Sequence, residues 1–239
     1  MIPLSDENPS RSVPLGTYLF LGANILVFLY QLSLGPQVET FIRSCAFTPA
    51  ELVTGRDLPP PACVQPPYLT ILTSMFMHGG LLHIASNMLY LWIFGNNVED
   101  SMGTLRYLVF YLVCGVVAAL TQTFVMVTFT PQDAAIPNLG ASGAVAGVLG
   151  AYLVLFPHAR VRTLVILGFF ISVTYVPALI LLGLWFVLQF FQGLGAVGGQ
   201  ATGGVAVWAH IGGFVAGVLL VKLFSSGQRG RRAVEMYRF

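Results

Sequence analysis

Two short runs carry residues that could react together. Gly140-Ala141-Ser142-Gly143 supplies a serine and Ala209-His210-Ile211-Gly212-Gly213 a lone histidine, each inside a long stretch without charge. A serine hydroxyl is a weak nucleophile until a base accepts its proton. An imidazole can be that base, and burial favours its neutral form. His83 and Asn87 stand four apart, so on a helix they stack on one face. Such a set points to hydrolysis through a serine nucleophile, with polar donors nearby to meet a developing oxyanion.

The elements that must position these residues are apolar. The chain has 239 residues, 56% hydrophobic and 8% charged, with a net charge of +2 and a mean hydropathy of +0.81. Soluble domains carry about a quarter of their residues charged, so the composition is that of an integral membrane protein with the lipid bilayer as partner. A charge of this size gives no argument for nucleic acid.

Residues 12–38, 58–98, 107–132, 134–159 and 163–221 contain no Asp, Glu, Lys or Arg. A spanning helix needs about 20 apolar residues. The last gap contains the glycine-rich stretch 193–204, which divides it into two helices. Spans are expected near 15–34, 79–98, 106–129, 142–157, 172–192 and 205–224. The expected fold class is therefore an all-α membrane protein, a bundle of six transmembrane helices. Residues 1–14 form a short leading segment, 15–224 the membrane domain with an outer loop at 35–70, and 225–239 a basic tail.

Charge sets the orientation. With six spans and an inner amino terminus, Arg11, Arg106, Arg160, Arg162, Lys222, Arg229, Arg231, Arg232 and Arg238 fall on the cytoplasmic side. Only Arg43 and Arg56 fall outside, a clear positive-inside bias. Both termini are then cytoplasmic. The polar start, with Pro3, Pro9 and Pro14, has no signal-peptide pattern. Cys45 and Cys63 lie in the outer loop, where an oxidising compartment permits pairing; two separate thiols are the alternative. Cys114 lies mid-span.

Polar side chains inside a membrane are costly and default to functional hypotheses. The second, fourth and sixth helices all run inward, so depth can be counted from their cytoplasmic ends at 1.5 Å per residue. On that count Ser142 lies about 22 Å above Pro157 and His210 about 18 Å above Lys222. Asn87 and His83 lie about 18 and 24 Å above Glu99. Four polar groups from three helices thus share one layer. His78 lies about 140° from His83 around a helix, and is placed as a helix cap or a hold on the outer loop. Small-residue faces at Gly143, Ala146, Gly147 and Gly150, and at Ala209, Gly213 and Gly217, let backbones approach closely.

No Asp or Glu occurs in any span, so Ser142 and His210 read as a dyad rather than a triad. The Ser142 backbone N–H opens a helix and is free to donate; Asn87 and His83 complete the candidate oxyanion hole. The stretch 193–204 has six glycines and, with a fifth helix kinked at Pro177, could serve as lid and lateral gate or as a plain connection.

The chain resembles the rhomboid family of intramembrane serine proteases over residues 68–224. The resemblance rests on His78-x4-His83-x3-Asn87, on Gly140-Ala141-Ser142-Gly143 and on Ala209-His210-x-x-Gly213-x-x-x-Gly217, in that order. It implies a six-helix bundle with a Ser142–His210 dyad and an oxyanion hole of His83, Asn87 and the Ser142 amide. His78, Gly140, Gly143, Gly213 and Gly217 would support them. The substrates implied are transmembrane proteins, cut in or near a span with small or helix-destabilising residues, with no cofactor and no metal. Two departures stand out. Leu69-Thr70 occupies the place of a Trp-Arg pair, and Ala146 replaces an aromatic that packs on the histidine in some relatives, so imidazole support must come from elsewhere.

Three rival readings fit parts of the sequence. A catalytically silent rhomboid-like protein that binds membrane clients would typically have lost the serine or histidine. A transporter would favour internal repeats, and residues 1–120 and 121–239 show none. A metal site on His78, His83 and His210 lacks a Cys or acidic companion in the layer. The compact six-span chain without a transit segment points to a bacterial plasma membrane.

Overall fold

The computed structural model describes residues 1–199 and 206–225. Residues 226–239 of the expected basic tail and 200–205 of the glycine-rich stretch lie outside the described residues. A first strand, β1 (Ile2–Asp6), precedes α1 (Leu15–Ser33). The outer loop is not bare: it holds α2 (Val38–Cys45) and α3 (Pro49–Thr54), and α4 (Thr70–Ser74) follows at its end. Then come α5 (Leu81–Met102), α6 (Thr104–Phe129) and α7 (Ser142–Leu155). Strands β2 (Arg160–Leu167) and β3 (Phe170–Pro177) follow, and then α8 (Ala178–Val197) and α9 (Val207–Phe224).

Among the described residues four helices, α1, α6, α8 and α9, are long and apolar enough to cross a membrane. Along α8, Leu179, Ile180, Leu184, Leu188 and Phe191 are exposed, a face that only an apolar solvent would cover. The protein is membrane-embedded and mostly helical. The fourth expected helix is shorter than expected, ending at Leu155 before Phe156 and Pro157. Its fourteen residues reach only about 21 Å, so the chain arrives at Ser142 as an extended loop.

The expectation of an all-α fold is corrected. β1, β2 and β3 form a three-stranded antiparallel sheet in that order. Residues 160–177 were assigned partly to the fifth helix because the charge gap from 163 is unbroken. Their β-branched and aromatic residues, Val161, Thr163, Val165, Ile171, Val173, Thr174, Tyr175 and Val176, favour a pleated sheet instead. Leu167 pairs with Phe170, leaving Gly168 and Phe169 as a two-residue turn. Gly168 has φ +58°, the conformation that such hairpin turns require at their first position. Pro177 does not kink a helix. It closes β3 and precedes the first turn of α8, where its missing N–H costs nothing.

The sheet is tied to the bundle through Asp6. Its carboxylate accepts from the Tyr152 hydroxyl of α7 at 2.6 Å and from Asn97 Nδ2 of α5 at 2.9 Å. At the same end, buried Glu99 accepts from the Gly16 and Thr17 N–H groups, both at 2.8 Å. It also takes the Thr17 and Thr104 hydroxyls, at 2.9 and 2.7 Å. A carboxylate against the unpaired amides of a helix start is favoured by charge and hydrogen bonding together.

The core is closed by glycines. A Cβ on Gly213 would overlap the Gly143 carbonyl oxygen, and one on Gly217 the Gly147 carbonyl oxygen. In the reverse direction, a Cβ on Gly150 would overlap the Phe214 carbonyl oxygen. The third side is α6: a Cβ on Gly147 would lie 2.7 Å from Cys114 Sγ, and one on Gly143 would lie 2.6 Å from Ala118 Cβ. Buried Cys114 fills that notch as a small apolar residue.

Gly217→Ala is therefore expected to lower stability by about 1–3 kcal/mol through overpacking. Gly183→Ala, on α8 with nothing within 4 Å of the added carbon, is expected to be neutral or stabilising. Thermal unfolding in detergent compares the two. The Asp6 carboxyl is pushed up to about 6 by burial, against the lowering effect of the Tyr152 bond. The folded chain then holds a proton that the unfolded chain has released between the ordinary 3.8 and about 6. Stability should fall as pH rises through that window, and Asp6→Asn should remove this part of the slope in unfolding temperature measured between pH 4 and 7.5.

Candidate active site

The extended approach to Ser142 is pinned from outside. Asn138 N–H donates to the Phe47 carbonyl at 2.8 Å and Gly140 N–H to the Ser74 carbonyl at 2.9 Å. Gly140 has φ +129°, a region that favours glycine. A Cβ there would lie 2.8 Å from both Cε1 and Nε2 of His83. Gly140 thus serves the turn and leaves room for the His83 ring beside Ser142.

Ser142 is the first residue of α7, and His210 lies in the first turn of α9. Their side chains meet: Ser142 Oγ stands 2.8 Å from His210 Nε2. The glycine contact between the two helices begins directly below, which is why so short a distance is possible. The first turn of α9 is itself held by α6, where Gln122 Oε1 accepts from the Ala209 N–H at 3.1 Å.

His83 and Asn87 come from α5. His83 Nδ1 accepts from the Gly79 N–H at 3.3 Å, and Asn87 Nδ2 donates to the His83 carbonyl at 3.0 Å. That bond uses one of the two amide protons of Asn87. Together with Ser142, His210, Gln122 and Trp185 they line an open cavity of about 1520 Å³. His78 does not line it. Gln31 of α1 clamps its backbone, accepting from His78 N–H at 2.9 Å and donating to its carbonyl at 3.1 Å. The buried ring lies edge-on to His83, with centroids 5.1 Å apart. His78 therefore holds the entry to α5.

Two residues absent from the sequence reading touch the imidazole. Gln189 Oε1 lies 2.6 Å from His210 Nδ1. The Trp185 ring lies 5.9 Å from the His210 ring at an interplanar angle of 35°. Both project from α8 one turn apart. The aromatic missing at Ala146 is replaced from another helix, a substitution no local motif reveals. Cys45 and Cys63 lie side by side in the outer loop, with Cα atoms 5.2 Å apart. Among the described residues no three His, Cys, Asp or Glu side chains gather at metal-ligand spacing.

With hydroxyl, imidazole and amide at one cavity wall, the arrangement can carry out acyl transfer. Comparison with known proteins gives the family. The Rhomboid domain family matches residues 66–227. Rhomboid protease GluP of Bacillus subtilis is 32% identical over 221 residues, covering 92% of this chain and 37% of that protein. The mitochondrial Rhomboid protein 1 of Saccharomyces cerevisiae is 30% identical over 213 residues, 84% of this chain and 51% of its own length. The chloroplastic Rhomboid-like protein 11 of Arabidopsis thaliana is 30% identical over 165 residues, 67% of this chain and 54% of its length. The chain thus spans about half or less of the length of these relatives. The family match covers well over half of the chain, and on that ground the chain belongs to the rhomboid family.

Proposed function

We propose that this protein is an intramembrane serine endopeptidase in which Ser142 and His210 form the catalytic dyad. The 2.8 Å contact between Ser142 Oγ and His210 Nε2 is the observation that carries the reading. In this scheme His210 Nε2 takes the hydroxyl proton as Oγ attacks the scissile carbonyl carbon. The tetrahedral oxyanion forms beside the Ser142 N–H, which has no partner within its helix. The second amide proton of Asn87 and the His83 ring are the other donors. Collapse expels the amine, which receives the proton from His210, and leaves an acyl-enzyme. Water activated by the same imidazole then hydrolyses it.

The substrates are transmembrane proteins with small or helix-destabilising residues near the cut, segments that can unwind into the cavity. We further propose six spans, α1 and α5 to α9, with both ends cytoplasmic, in a bacterial plasma membrane. The charge bias supports this orientation. GluP supports a bacterial setting, whereas other relatives carry mitochondrial or chloroplastic names.

Purified wild-type protein in liposomes is expected to cleave a co-reconstituted single-span reporter with a Gly/Ala-rich segment. Ser142→Ala and His210→Ala should each abolish cleavage, a loss on the order of 10⁶-fold if fully expressed. Asn87→Ala should lower kcat by about 10²–10³-fold. Undiminished cleavage in Ser142→Ala would remove the proposed nucleophile, and wild-type protein that binds the reporter uncut would favour a client-binding role. The orientation also places Cys45 and Cys63 in the oxidising space, so we propose that they pair. In a Cys114→Ala background, gel mobility should change with reductant and stop doing so in Cys45→Ser.

A further inference from the structure

A Ser–His dyad works only if the imidazole carries its proton on the right nitrogen. Nε2 must present a lone pair to the Ser142 hydroxyl, which leaves the proton on Nδ1. In other serine hydrolases a carboxylate enforces that choice. Among the described residues no carboxylate faces His210 Nδ1; the atom beside it is Gln189 Oε1, at 2.6 Å.

An amide oxygen accepts and cannot donate, so this contact requires an N–H at Nδ1. The other end of the same amide is also engaged, since Gln189 Nε2 donates to Gln192 Oε1 at 3.1 Å. With Gln192 as it stands, turning the Gln189 amide over would break that bond. It would also set a donor against Nδ1, move the ring proton to Nε2 and leave the serine proton with no acceptor. Trp185, one turn earlier on α8, lies against the ring and limits its swing. Its helix is seated on α9 by Phe186, which stacks on Phe214 with centroids 4.7 Å apart.

We propose that Gln189 is the positioning residue of this dyad, holding His210 as the Nδ1–H tautomer, with Gln192 fixing the orientation of the Gln189 amide. The inference rests on the dyad reading above. A neutral amide makes this contact without adding a charge to the layer.

The test compares wild type, Gln189→Leu and Gln189→Glu in the reporter cleavage assay, measuring kcat and KM from pH 5 to 9 and unfolding temperature in detergent. Gln189→Leu is expected to lose about 10²-fold in kcat at nearly unchanged KM, short of the ~10⁴-fold that a wrongly held tautomer costs in a Ser–His–Asp triad. Gln189→Glu should recover most of kcat and move the acidic limb of the pH profile upward, because a carboxylate stabilises the imidazolium. His83, a titratable group whose charge acts on His210, is untouched by either change. A merely structural glutamine would lower the unfolding temperature in both variants without moving that limb. The proposal is overturned if Gln189→Leu keeps kcat within twofold of wild type, or if the Gln189→Glu limb stays in place. Ser142→Ala and His210→Ala run alongside separate the two claims. If they are silent while Gln189→Leu keeps kcat within twofold of wild type, the positioning role fails and the dyad stands; if they cleave, the dyad itself fails.

Discussion

Backbone touches backbone where α7 crosses α9, and the site depends on that contact. Gly143 and Gly147 present carbonyl oxygens to Gly213 and Gly217 with no side chain between, and Gly150 returns the fit to Phe214. In a bilayer no hydrophobic force drives one helix onto another, so close van der Waals packing at small residues has to do it. The same glycines set the distance between the two side chains above them. Ser142 and His210 sit at the upper end of this seam, and a separation of even one side chain's thickness would put 2.8 Å out of reach.

Around that seam, glutamines secure polar groups in an apolar layer without adding charge. Gln31 clamps both backbone groups of His78, Gln122 takes the Ala209 N–H at the start of α9, and Gln189 takes His210 Nδ1. Each joins a helix to a neighbouring element by side-chain amide bonds. At the end of the bundle that carries the sheet, Glu99 gathers four donors and Asp6 ties the sheet to α5 and α7.

The layer of chemistry was legible because serine, histidine and asparagine are conspicuous in charge-free runs, and a fixed helical rise turns their positions into depths. Ser142, His210, His83 and Asn87 do line one cavity. The glutamines were not legible: Gln189 belongs to no motif, and only the fold brings it to a histidine 21 positions later. The β2–β3 hairpin was missed for a different reason. Charge gaps cannot tell an apolar strand from an apolar helix, and the alternating β-branched residues that could have done so were read as part of a span. Pro177 reads as a kink only where helix lies on both sides of it, and here a strand precedes it.

The central claim is that Ser142 and His210 act together on a carbonyl in this cavity. An experimental structure of the protein after reaction with a peptidyl fluorophosphonate tests it most directly. The account predicts phosphorus bonded to Ser142 Oγ, the phosphonyl oxygen within hydrogen-bond distance of the Ser142 N–H and Asn87 Nδ2, and His210 still held by Gln189. An adduct on another residue, or one on Ser142 with that oxygen facing away from α5 and from the Ser142 N–H, would contradict it.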